Sequence, residues 1–241
     1  MLVAVTRGSI ILISEGRLDE NHAWFNDLRQ QHPQRVEQLY SIEADLLSRE
    51  GEPAAATAVL DQALAQLPDS SALLYARAML AEEQGDLVLM EDKLRAIIAR
   101  EPDNSTAINA LGYTQPNRTE RYQESHALIV RARALQPDEP ANLDSMGWVL
   151  YRQGQYDDAL AYLTRAYAAF PDPEVAAHLG EVLWVTGDTD NALKVWQGGL
   201  LKDPDNAILA ETLKRLQVTA SQLGLPEGGL PTREPQEPEP W

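Results

Sequence analysis

A histidine and a carboxylate stand one helical turn apart in His178-Leu-Gly-Glu181, a spacing that puts both on one helix face and that metal sites use. The pair stands alone. His22, His32 and His126 are scattered along the chain, so no second ligand pair completes a coordination set. The 241 residues include no cysteine, which removes thiolate ligands, disulfides and a thiol nucleophile together. The glycines do not gather into a phosphate-cradling loop behind a strand, and no nucleophile–base constellation can be drawn. The chain therefore reads as a non-enzyme, with no metal and no cofactor. Asn104-Ser-Thr and Asn117-Arg-Thr fit a glycosylation sequon, but both fall where helix starts are expected, and capping is the better account.

What remains is recognition, and the elements that would position it are written in a repeat. Pro-Asp recurs about every 34 residues, in LPDS (67–70), EPDN (101–104), QPDE (136–139), FPDP (170–173) and DPDN (203–206). With Pro counted as position 32, position 8 is Ala44, Ala78, Gly112, Gly147 and Gly180, and position 20 is Ala56, Met90, Ser125, Ala159 and Ala192. Small residues there let two helices approach closely. Gly51, Gly85, Gly154 and Gly187 at position 15 predict a left-handed turn closing the first helix. Pro at 32 ends the second helix, and the Asp, Asn or Ser beyond it can cap the next.

This pattern resembles the tetratricopeptide-repeat family over roughly residues 2–206. The resemblance implies an all-α fold, a right-handed α–α superhelix of about six helix-turn-helix units over 2–36, 37–70, 71–104, 105–139, 140–172 and 173–206. A single capping helix is expected at 207–223, and Pro116 is expected to cut the first helix of the fourth unit short. One elongated domain would then span 1–224, followed by a disordered Pro/Glu-rich tail at 225–241. A net charge of −17 and a pI near 4.5 disfavour nucleic acid and anionic lipid as partners, and no long apolar run offers a membrane span.

In this fold the first helix of each unit lines a concave groove. The resemblance places Tyr75 and Met79 there, then Asn109 and Tyr113, then Asp144, Ser145, Trp148, Tyr151 and Arg152, then His178, Glu181 and Trp184. Aromatic groups beside a few polar ones bury much area at little rotamer cost, so these residues are the candidate protein-binding surface. Thr6, Arg7, Ile10, Ser41, Asp45 and Arg49, at the matching earlier positions, lack the Lys/Asn set with which cochaperone members clamp a terminal carboxylate.

A narrower resemblance covers 107–206. NALGYT (109–114), LDSMGWVLYR (143–152) and FPDPEVAAHLGEVLW (170–184) are similar to the C-terminal arrays of proteobacterial outer-membrane tetratricopeptide lipoproteins. Their best understood type is an adaptor of a carboxy-terminal processing protease. That resemblance implies a non-catalytic scaffold bringing a periplasmic protease and its cell-wall-hydrolase substrates together, on the periplasmic side of the outer membrane; without the resemblance the expected compartment is the cytoplasm. The alternative is an envelope assembly protein that self-associates. The chain carries no lipid-anchor Cys, and it opens in register at a repeat boundary (Val5, Ser9, Leu12, Gly16) with no preceding cap. It is thus expected to be the C-terminal part of a longer array, with an uncapped first repeat open to self-association.

Overall fold

The computed structural model describes residues 2–118 and 122–226, and side chains from Val5 to Thr114 and from Gln123 onward. All thirteen α-helices among these residues form hairpins or end them, and no strand occurs there, as the fold-class expectation requires. The hairpins are α1 (Leu2–Ser14) with α2 (Leu18–Gln31), α3 (Val36–Arg49) with α4 (Pro53–Gln66), and α5 (Ser71–Glu83) with α6 (Leu87–Arg100). They continue as α7 (Ser105–Arg118) with α8 (Tyr122–Leu135), α9 (Pro140–Arg152) with α10 (Tyr156–Ala169), and α11 (Pro173–Val185) with α12 (Thr189–Lys202). Helix α13 (Ala207–Arg215) follows.

The punctuation behaves as its chemistry demands. Gly51, Gly85, Gly154 and Gly187 all turn at φ between 78° and 93°, the left-handed region that an L side chain enters only with strain. Ser70, Asn104, Asp172 and Asn206, just past the Pro-Asp prolines, accept from the free N–H groups of Leu73, Ala107, Glu174 and Leu209. Gly147 shows why position 8 is small. A methyl there would stand 2.6 Å from Leu163 Cγ on α10, which is inside contact distance.

Packing resolves into two compact units, Met1–Pro102 and Asp103–Trp241, where the sequence reading counts one domain to residue 224. An array with neighbour contacts only can divide at any junction between hairpins. The first unit is centred on Phe25, Leu39, Leu60 and Leu73, all but fully buried. Buried Glu43 on α3 clasps α2, accepting from Arg29 at 2.6 Å and facing His22 Nδ1 at 2.8 Å, while Arg29 stacks on Tyr40. In the second unit, Ile129, Leu163, Leu179 and Val182 form one buried cluster, and Trp196, Leu209 and Leu213 another.

Three local expectations are corrected. Helix α7 is not cut at Pro116 but runs through it to Arg118. Proline has no N–H to offer the carbonyl of Gly112 one turn back, and the Ser125 hydroxyl on α8 donates to that carbonyl instead. Asn117 consequently lies in the last turn of a helix rather than at a helix start. The expected cap helix over 207–223 stops at Arg215, and Gln217 takes a positive φ of 56°. The chain then folds back, burying Val218 and Leu223 against Trp196 and Leu213, with Gln197 Nε2 donating to the Leu223 carbonyl. A straight helix would have carried those two apolar residues away from the core. The tail, beyond Pro226, lies outside the described residues.

Candidate functional site

Within the second unit α9 packs beside both α7 and α11, and α13 packs against α11. Gly112, Gly147 and Gly180 on α7, α9 and α11 face the second helices of their hairpins, where Ile129, Leu163 and Trp196 press against them. A different stripe of each first helix carries polar and aromatic groups at i, i+4 spacing: Asn109 and Tyr113, Asp144 and Trp148, Glu174 and His178. Tyr113, Asp144, Glu174 and His178 bond across the helices.

His178 on α11 turns Nδ1 toward both oxygens of Asp144 on α9, each at 3.0 Å. Its Nε2 lies 3.3 Å from the Tyr113 hydroxyl of α7, and that hydroxyl donates to Glu174 of α11 at 2.6 Å. The Trp148 indole stacks on the imidazole, with centroids 4.2 Å apart and planes 24° off parallel. One turn along, Tyr151 donates to Glu181 at 2.9 Å, and Glu181 also accepts from Arg215 of α13 at 2.5 Å. The polar chain thus ties α7, α9, α11 and α13 together.

Electrostatics follow from this crowding. Burial works against the imidazolium of His178, but the carboxylate of Asp144, its hydrogen bond, and then Glu174 and Glu181 outweigh that, and the proton affinity is raised. Burial pushes the Glu174 carboxyl up, and the charge of Asp144 adds to it, against the opposing pull of His178 and Tyr113. Burial, then the charge and hydrogen bond of Glu181, holds the Tyr151 phenol above the usual tyrosine range. Nothing in this set is aimed at a metal. His178 and Glu181 spend their polar atoms on different partners, and no group of three or more ligating side chains is found among the described residues.

The tetratricopeptide-repeat profile matches residues 43–105 and 145–207, just over half of the sequence. The chain belongs to the tetratricopeptide-repeat family. A TPR repeat-containing protein of Pseudomonas aeruginosa is 49% identical over 180 residues, 75% of this chain. The chain spans only 30% of that relative's length. A thermophilic TPR protein of Thermus thermophilus superposes with a TM-score of 0.63 at 23% identity, covering 76% of this chain and all of its own. PilW, a type IV pilus biogenesis factor, superposes at 0.61 with 23% identity, covering 79% of this chain and 97% of its own. At such identities these two structures speak for the fold alone.

The TPR groove residues expected from sequence divide by burial. Trp148 is only 7% exposed, and Asn109, Asp144, Ser145, His178 and Glu181 are buried as well, which corrects the expectation that they lie open in the groove. For Asp144, His178 and Glu181 the cause is the bonding above, since each turns toward a neighbouring helix, and Trp148 covers His178. Tyr113, Tyr151 and Trp184 are half-buried and keep a face outward, and Arg152 is exposed. Tyr75 and Met79 are half-buried on α5, in the first unit. Sequence reasoning missed Glu174 and Arg215. Glu174 could have been found, four residues before His178 on the same helix face. Arg215 lies on α13 outside the repeat and carried no signal.

Proposed function

We propose that this TPR chain is a non-catalytic protein-binding scaffold. In this reading its partners are a periplasmic carboxy-terminal processing protease and that protease's cell-wall-hydrolase substrates. The TPR fold itself supports a protein-interaction scaffold; partner and compartment are this proposal's own. One observation carries it: Tyr113, Tyr151 and Trp184 stand half-exposed on three successive first helices, each fixed from beneath. The two phenols are anchored on half-buried Glu174 and buried Glu181, and Trp184 lies against Trp196 with ring centroids 5.6 Å apart. Rings already locked in one rotamer lose little entropy when a partner covers them, which is what concentrates binding energy at such positions. The scaffold would raise the effective concentration of protease and substrate for each other and need no reactive group of its own.

The test is site-specific photo-crosslinking. A benzoylphenylalanine at position 184 should join the chain to purified protease, and one at Val88, exposed on α6, should not. Equal yields from both positions, or none from 184, would remove the wall from the account.

A further inference from the structure

We infer that Asp144, His178, Tyr113 and Glu174 form a proton-operated clasp that holds α7 to α11 and sets the posture of the protein-binding wall. Hydrogen counting carries this. With Glu174 ionised, the one proton of the Tyr113 hydroxyl is given to it at 2.6 Å. Nδ1 of His178 must carry a hydrogen, since the atoms it faces are the two carboxylate oxygens of Asp144. A neutral imidazole would then leave Nε2, 3.3 Å from Tyr113, facing an oxygen whose only hydrogen points elsewhere. An imidazolium satisfies every position: Nδ1–H donates to Asp144, Nε2–H to the Tyr113 oxygen, and Tyr113 to Glu174. One proton on His178 completes the relay.

Removing that proton forces a choice. Either Tyr113 turns its hydrogen to Nε2 and Glu174 loses its donor, or Nε2 stays unbonded. Both loosen the tie between α7 and α11, and Trp148, stacked on the imidazole, senses the change. The groups facing His178 are identifiable on each element around α11: Asp144 from α9, Tyr113 from α7, Glu174 and Glu181 from α11 itself, and Arg215 of α13, which Glu181 holds. Toward α11, α10 brings Leu163 with the phenols of Tyr162 and Tyr167, the latter pushed up by burial, and α12 brings Ala192 and Trp196. Against burial, the proton affinity of His178 is raised, chiefly by the Asp144 carboxylate, and this points the same way. Falling pH therefore fastens the wall until Glu174, whose carboxyl burial pushes up, takes a proton of its own, and rising pH frees it.

The consequence for binding rests on the proposed function, but the clasp is tested without a partner. In the full chain labelled at histidine, ¹⁵N NMR should show His178 doubly protonated at pH 7, with a midpoint above that of a free imidazole. Its titration should be mirrored in the Trp148 indole signal. Tyr113→Phe should lower the midpoint by at least one pH unit, a tenfold loss of proton affinity, and uncouple α7 from it. Glu174→Gln, which keeps an acceptor for Tyr113 but removes a charge that raises the proton affinity of His178, should lower it as well. A neutral His178 at pH 7, a silent Trp148, or an unmoved midpoint in Tyr113→Phe would each overturn the clasp. Because no partner is present, the clasp can fail while the wall still binds proteins, and the wall can fail to bind while the clasp titrates.

Discussion

Replacing Gly147 by Ala sets two known effects against each other, and the structure decides the sign. Gly147 lies inside α9, where an Ala would gain about 1 kcal/mol in helix propensity. The added methyl, however, stands 2.6 Å from Leu163 Cγ, 3.0 Å from its Cδ2 and 3.1 Å from the carbonyl oxygen of Ala159. Carbon pairs rest at about 3.5–4.0 Å, so the first overlap is roughly 1 Å. It falls on the branch point of a fully buried leucine and beside backbone, neither of which can swing aside. Overpacking of this kind costs about 1–3 kcal/mol. Its upper half applies here, and the net destabilisation is about 1–2 kcal/mol. Gly198 on α12 is the control, since a methyl there meets only the Tyr167 hydroxyl, the far end of a half-buried side chain. Urea unfolding followed by far-ultraviolet circular dichroism should lower the midpoint for Gly147→Ala and leave or raise it for Gly198→Ala. A Gly147→Ala protein as stable as the parent would refute close helix approach as the reason for small residues at this repeat position.

Trp148→Ala should destabilise the second unit by about 3–5 kcal/mol in the same assay, because the ring is buried rather than displayed. Asn21, fully buried with neither side-chain polar atom bonded, occupies the place that Ala56, Ala159 and Ala192 fill in three other hairpins. Asn21→Ala should raise thermal stability by about 1–2 kcal/mol, less whatever the smaller side chain leaves unfilled. His178 and Glu174 both bind protons more tightly folded than unfolded. Their contribution is therefore complete below the unfolded values, about 6.5 for His and 4.5 for Glu, and drains away as pH rises through the folded ones. The difference in melting temperature between the parent and His178→Gln should accordingly shrink from pH 6 to pH 9; a constant or growing gap would contradict the assignment.

The hairpin period was legible because it depends on residues whose backbone roles are fixed locally: glycine at positive φ, proline at helix ends, Asn, Ser and Asp as caps. Pro116 escaped that logic, since the bond that rescues its helix comes from Ser125, which a local reading cannot see. Inner positions at 109, 113, 144, 148, 178 and 181 were legible as one stripe, but their burial was not. Spacing tells which helix face a side chain occupies, while exposure depends on whether neighbouring helices bring it partners. Asp144 and His178 each look like groove-lining polar residues alone; together they cover one another. Leu223 likewise reads as the end of a helix and turns out to be the lid of the last hydrophobic cluster.

Calorimetric titration of purified carboxy-terminal processing protease into the chain, compared with Trp184→Ala shown folded by circular dichroism, is the most direct test of the protein-binding wall. The account predicts measurable binding by the parent and a Kd about 30-fold weaker for Trp184→Ala, corresponding to about 2 kcal/mol at one anchored aromatic. Phe170→Ala, an exposed ring on the loop after α10, should bind as the parent does. No binding by the parent, or equal affinity in Trp184→Ala, would contradict it.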